Sequence, residues 1–287
     1  MAEGPIDAEV EAKTPQELLQ PVPPTLAAKA DDLDAIRNAV IDAAGAAAGI
    51  WLSYLLALFY LLVAAAGVTH RDLFFENPVK LPFLNVDLPL KSFFWFGPAL
   101  FLVLHVYVLL HFVLLAGKVG VFDAALRAQI ADPKVRDRLR RQLPSNIFVQ
   151  LLAGPREVRE GLMGLLLRLI VWITVVIGPV ALLVVFQLQF LAYHDSSITS
   201  WQRIAVVIDL GLLWTLWPSV VRGQAIREAW RGMKWSTFTL MASMSLALVL
   251  FVFVIATFPG EKLEHLARIR VTKSVHNFLV AGDVDLV

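Results

Sequence analysis

"FFWFGPALFLVLHVYVLLHFVLLA" (residues 93–116) runs for twenty-four residues without a Lys, Arg, Asp or Glu. A helix rises about 1.5 Å per residue, so this run reaches across the roughly 30 Å of a bilayer's hydrocarbon core. Only helices and closed barrels satisfy their backbone groups there. Four further runs read the same way: "AGAAAGIWLSYLLALFYLLVAAAGV" (44–68), "GLMGLLLRLIVWITVVIGPVALLVVFQLQF" (161–190), "RIAVVIDLGLLWTLWPSVVR" (203–222) and "TFTLMASMSLALVLFVFVIATF" (237–258). The run at 161–190 is long enough to tilt, and Gly178–Pro179 is its expected kink. Trp51, Trp95, Trp201 and Trp235 fall near span ends, where amphipathic rings sit at the headgroups. The expected fold class is an all-α integral membrane protein of five transmembrane helices, with a cytoplasmic amphipathic helix, an extended outer loop and an outer tail.

Composition agrees. Apolar residues make up 58% of the chain, against about 45–50% in a soluble domain. The formal net charge of +1 points away from polyanionic partners such as nucleic acid. With no cysteine, disulfides, thiolate metal sites and cysteine nucleophiles are excluded for this sequence.

The basic residues orient the spans. Segment 117–160 holds nine Lys/Arg and segment 191–202 holds none. The positive-inside rule then puts 117–160 and 223–235 in the cytoplasm, with 69–92, 191–202 and the tail from Pro259 outside. Residues 1–43 carry nine acidic side chains and five prolines, unlike a secretory signal. Residues 1–32 read as a disordered acidic arm, 33–258 as the membrane domain and 259–287 as the extracytoplasmic tail. "ADDLDAIRNAVIDAAG" (30–45) reads as a short lead-in helix with an Asp N-cap.

Within 117–160, Asp132–Pro133 is a helix start. Val135, Leu139 and Leu143 then repeat every fourth residue between basic side chains. Lys134, Arg136, Arg138, Arg140 and Arg141 are expected to face the anionic inner leaflet, or to dock a cytoplasmic partner. Pro155 is expected to restart a helix running straight into the third span. On the other side, Pro78, Pro82 and Pro89 make 69–92 a stiff extended loop. Its Phe74, Phe75, Leu81, Phe83, Leu84, Val86 and Leu88 need cover, from this chain or from a partner.

Four ionisable residues, His105, His111, Arg168 and Asp209, fall inside spans away from their end residues, where such groups are costly. On a helical rise, His105 lies near the midplane, His111 about 10 Å and Arg168 about 12 Å toward the cytoplasm, and Asp209 about 5 Å toward the outside. An Arg168–Asp209 pair would have to bridge about 17 Å of depth. His105 and Asp209 are therefore the expected intramembrane pair, the carboxylate favouring the charged imidazole. Arg168 is expected to reach toward the inner interface. His105 and His111 point about 120° apart on one helix, so they cannot share one metal. No metal site is expected. No hydrolytic triad, phosphate loop or dinucleotide fingerprint is present, and no paired repeat points to a secondary transporter.

With these residues read, a family likeness emerges. "WLSYLLALFYLLVAAAGVTHRDLFFENPVKLPFLNVDLPL", "RRQLPSNIFVQLLAGPREVREG", "IGPVALLVVFQLQFLAYH", "RIAVVIDLGLLWTLWP" and "ATFPGE" resemble the N-terminal membrane module of bacterial pentapeptide-repeat membrane proteins, from about Leu33 onward. The resemblance implies a bacterial inner-membrane location and no assigned reaction, and alternation from the basic loops puts the N-terminus in and the C-terminus out. Relatives continue into a β-solenoid of five-residue repeats. No such repeat occurs in "VHNFLVAGDVDLV", so functions carried by the repeats do not transfer. "RIRVTKSV" and "NFLVAGDVDLV" alternate like strands seeking an edge.

Three functions compete. The first is a non-catalytic scaffold or accessory subunit in the bilayer, bound to a partner complex or to its own copies. The second is a homo-oligomeric ion or proton channel using His105 and Asp209. The third is a haem- or quinone-binding subunit, although no cofactor is predicted.

Overall fold

The computed structural model describes residues 24–81 and 86–258. Five helical stretches in it are long and apolar enough to cross a membrane: Asp32–Ala66, Leu90–Gln129, Gly161–Leu191, Ser196–Arg222 and Trp235–Ile255. The strands expected in the tail, and most of the acidic arm, lie outside the described residues.

Helix α1 (Pro24–Ala66) is continuous. The short lead-in helix and its Asp N-cap are therefore corrected: 30–45 is the interior of one helix that begins within the segment read as disordered. An alanine-rich run has no reason to break there. Helix α3 (Leu90–Gln129) likewise continues well past residue 116. At about 1.5 Å per residue each is longer than a bilayer is thick, and the excess is the polar part, residues 24–43 of α1 and 117–129 of α3.

Between them, α2 (His70–Phe74) is followed by a hairpin of β1 (Val79–Leu81) and β2 (Val86–Leu88), with Val79 opposite Leu88 and Leu81 opposite Val86. The proline-stiffened segment is thus not a plain extended loop. Its strands satisfy each other's backbone groups, and Pro78 and Pro89 stand just outside the ladder, where no N–H is needed.

The segment 130–160 packs across the arginine-rich end of the bundle. Helix α4 (Pro133–Arg140) is N-capped by Asp132, and α5 (Ile147–Ala153) by Asn146. Phe148 of α5 stacks on Phe112 of α3 at 3.8 Å and meets Trp51 of α1 edge-on at 5.8 Å. Asn146 also donates to the Ala44 carbonyl at 3.0 Å. Helix α6 (Arg156–Arg159) follows, and the chain breaks at Gly161, φ +71°, before α7 (Gly161–Trp172). So the helix from Pro155 does not run straight into the third span. The glycine makes this corner affordable, because L side chains rarely adopt that backbone conformation.

Helix α7 passes through a π-turn (Ile173–Ile177) into α8 (Gly178–Leu191). Helix α9 (Ser196–Arg222) follows, then α10 (Ile226–Arg231) and α11 (Trp235–Leu250), which ends in a second π-turn (Phe251–Ile255). Helices α3 and α9 form the centre, with α1 against α3 and α8 against α9. Half of the apolar window of α9 is buried, against 6% for the fifth candidate span. At the arginine-rich end, α3 and α9 touch backbone to backbone. A Cβ on Gly120 would lie 2.2 Å from the carbonyl oxygen of Gly223, the left-handed C-cap of α9.

Candidate functional site: a buried histidine–aspartate pair

Helix α3 carries His105 and helix α9 carries Asp209 into the seam where they cross. Both side chains are fully buried, and His105 Nδ1 lies 2.5 Å from Asp209 Oδ1. The imidazole forms a three-ring cluster with Phe101 and Tyr54, whose centroids are each 5.8 Å from it and 6.1 Å from one another.

The other imidazole nitrogen is engaged by the π-turn, and Pro179 explains why. Proline has no N–H to return to the preceding turn, so the Val175 oxygen four residues back loses its helical donor. The Gly178 N–H, which an α-helix would give to Thr174, bonds the Ile173 oxygen in the π-turn and leaves Thr174 free as well. His105 Nε2 lies 3.2 Å from the Val175 oxygen, and the Tyr54 hydroxyl donates to the Thr174 oxygen at 3.2 Å. The kink expected at Gly178–Pro179 is therefore a π-turn ending at Ile177, and the carbonyls that it frees are taken by the bundle's interior.

This geometry fixes the proton count. A carbonyl only accepts, so Nε2 must carry hydrogen. Nδ1 and Oδ1 then share one further proton. The pair is either imidazolium with carboxylate or imidazole with carboxylic acid, and its net charge is zero in both. Neutrality is what a low-dielectric site demands. Asp209 Oδ2 is buried without a hydrogen-bond partner.

The remaining intramembrane candidates are not brought to this site. His111 is half-buried and meets Tyr107 edge-on at 4.6 Å. The Arg168 guanidinium turns toward the arginine-rich end, 3.5 Å from the Arg159 carbonyl oxygen. Among the described residues, no group of three or more His, Asp or Glu side chains could hold a metal ion.

A second buried polar contact escaped the sequence reading. Arg203, 2% exposed, donates from Nε to the Val252 oxygen at 2.9 Å and from Nη2 to the Ala256 oxygen at 2.8 Å. Buried Gln187 donates to the same two oxygens, and the guanidinium stands over the Phe253 ring. The last carbonyls of a helix have no partner within it. Arg203 and Gln187 fill that role for the π-turn ending the fifth candidate span, and so pin an otherwise peripheral helix to α8 and α9. Arg203 opens the predicted span 203–222, and its position at the span's edge drew no role for it. Gln202, one heptad before Asp209 on the same buried face, was the available signal.

Of the basic side chains expected to face the leaflet, Lys134, Arg138 and Arg141 are exposed. Arg140 is not: it is 6% exposed and pairs with Asp123 of α3 at 2.5 Å. Arg136 is half-buried beside it. Helix α4 stops at Arg140, so Leu143 lies beyond it and the expected apolar stripe is not one helix face.

At the hairpin end, cover for the apolar loop is divided. Leu73 and Val79 are buried, and Leu81 and Leu88 pack against the core, so the last two belong to the chain's own cover. Phe74, Phe75 and Val86 are exposed, while Phe83 and Leu84 lie outside the described residues. Thr69 and Asp72 form a capping box on α2, joined by Asn77. Hydrogen bonds from the Thr69 hydroxyl and then Asn77 hold the Asp72 carboxyl below its usual range. A hydrogen bond from the Tyr193 hydroxyl, and then the nearby Lys91 ammonium, do the same for Glu76.

No family model, curated protein or solved structure matches this chain. The resemblance to pentapeptide-repeat membrane proteins rests on the motifs quoted above.

Proposed function

We propose that this chain is a non-catalytic membrane scaffold or accessory subunit that binds a partner protein at its hairpin end. The reading places it in a bacterial inner membrane, with the hairpin outside and the arginine-rich segments inside. The observation that carries it is the aromatic pair Phe74 and Phe75, 83% and 62% exposed at the end of a capped helix. A cleft of about 410 Å³ between the third, fourth and fifth spans is apolar and suits acyl chains. A second cleft, of about 630 Å³, lies between the end of α1, Asp72 of α2 and β1, where a partner's side chains could enter.

The test is affinity capture of the tagged full chain from gently solubilised membranes. Wild type is expected to retain a partner that Phe74→Ser with Phe75→Ser loses, while the variant remains folded. A strictly solitary wild-type monomer would sink the proposal.

The channel reading draws on the shared proton of His105 and Asp209. Against it stands their enclosure, since no described cleft is lined by either residue. Reconstituted proton flux unchanged by Asp209→Asn and His105→Ala would remove those residues from any such role. For the haem reading, His105 has both nitrogens engaged and offers no free ligand atom.

A further inference from the structure

At the arginine-rich end, three helices aim guanidinium groups into one cavity of about 190 Å³. Arg127 comes from α3, Arg136, Asp137 and Arg140 from α4, and Arg156 and Arg159 from α6. Two carboxylates hold part of this charge. Asp123 takes Arg127 at 2.6 Å and Arg140 at 2.5 Å, and Asp137 lies 3.6 Å from Arg140. Arg136, Arg156 and Arg159 have no ion pair among the described residues. Glu157 is turned away onto Arg141.

Two guanidinium nitrogens in this group are buried without any acceptor: Arg140 Nε and Arg159 Nε. A buried donor left unmade is costly, more so on a charged group. Burial, followed by repulsion from Arg140, lowers the Arg159 pKa, the cost expected of like charges drawn together without a full counter-charge. An ordinary surface arginine cluster would splay into water. This one is held by Pro133 at the start of α4, the Asp123 pairs and the corner at Gly161.

We propose that this cavity is a binding site for a phosphate group. A phosphoryl group brings about two negative charges and three acceptor oxygens, which fit the forked donors of three unpaired guanidiniums better than a carboxylate's two oxygens do. The cavity has room for about six waters at their liquid volume, enough for a hydrated phosphate. A soluble phosphate or an anionic lipid headgroup would supply the same chemistry. The site is independent of the partner surface at the hairpin end.

The test uses the detergent-solubilised full chain and its thermal unfolding at constant ionic strength. Sodium phosphate is compared with sodium chloride, and short-chain phosphatidic acid with short-chain phosphatidylcholine. Wild type is expected to gain stability with phosphate, with phosphatidic acid, or with both. A response to inorganic phosphate identifies a soluble ligand, and a response to phosphatidic acid alone identifies a lipid headgroup. Arg156→Gln with Arg159→Gln should weaken the apparent affinity at least about tenfold, the effect of one lost charge-assisted contact. Its ligand-free midpoint should not fall, because the change removes repulsion. Arg136→Gln should weaken binding similarly, and Arg138→Gln, on the exposed side of α4, should leave it unchanged. The proposal is overturned if neither phosphate nor phosphatidic acid stabilises wild type, if phosphatidylcholine does so equally, or if the double variant binds as wild type does.

Discussion

The His105–Asp209 pair is wholly buried, whereas the arginine cavity mixes buried Arg140 and half-buried Arg136 and Arg159 with exposed Arg127 and Arg156, and the charges of the two are balanced differently. They share a scaffold, since α3 carries His105 near its middle and Asp123 about 27 Å further along its axis. In the pair, one proton serves two groups, and both imidazole nitrogens have partners. In the cavity, five guanidiniums share two carboxylates. The difference follows from surroundings. Between apolar helices an uncompensated charge has no counterion to call on, so the folded chain supplies neutrality itself. At the bundle's end, ions can reach the residual charge, and that is where charge can be spent on binding.

The largest expected effect comes from breaking the pair. Asp209→Ala leaves a buried imidazole nitrogen unpartnered and should cost about 3–5 kcal/mol, read by denaturant unfolding in detergent micelles. Replacing both residues with leucine should recover much of that loss. If Asp209→Ala were as stable as wild type, the pair would not hold the α3–α9 seam.

A smaller effect is expected at the other cluster. Asp123→Asn removes one of its two carboxylates and should cost about 1.5–3 kcal/mol, the range for hydrogen bonds to charged groups. Phosphate should restore part of this loss. No ion should rescue Asp209→Ala, and that contrast is the sharpest measure of the difference between the sites.

The smallest effect lies at the hairpin end, where the groups are exposed. Asp72 and Glu76 have carboxyls held below their ordinary range. Their contribution is therefore fully present above about pH 4, the unfolded carboxylate value, and is lost as pH falls through the lower folded values. Amide exchange of 69–81 should stay slow near neutral pH and quicken only in acid. Thr69→Ala, which removes the leading hydrogen bond to Asp72, should move that loss to higher pH. An unmoved profile would mean that the capping box does not hold α2.

Legibility varied for identifiable reasons. His105 and Asp209 could be matched because helical rise converts residue number into depth, and depth restricts which side chains can meet. Arg140 was misread because its neighbours Arg138 and Arg141 are exposed and nothing local separates it from them. Its burial depends on Asp123, seventeen residues earlier. Tyr54 gave no signal at all, as one aromatic among many in an apolar run.

The sequence by itself determined that five helices would form and how long the apolar stretches are, because hydropathy and backbone hydrogen bonding are local demands met within each segment. It also determined that Pro179 would disturb the third stretch. Only the tertiary structure decided which carbonyls that disturbance releases, that His105 and Tyr54 receive them, and that guanidiniums from three helices converge on one cavity. Those outcomes depend on how separate helices rotate and cross, and a side chain's partner is then set by packing between segments distant along the chain.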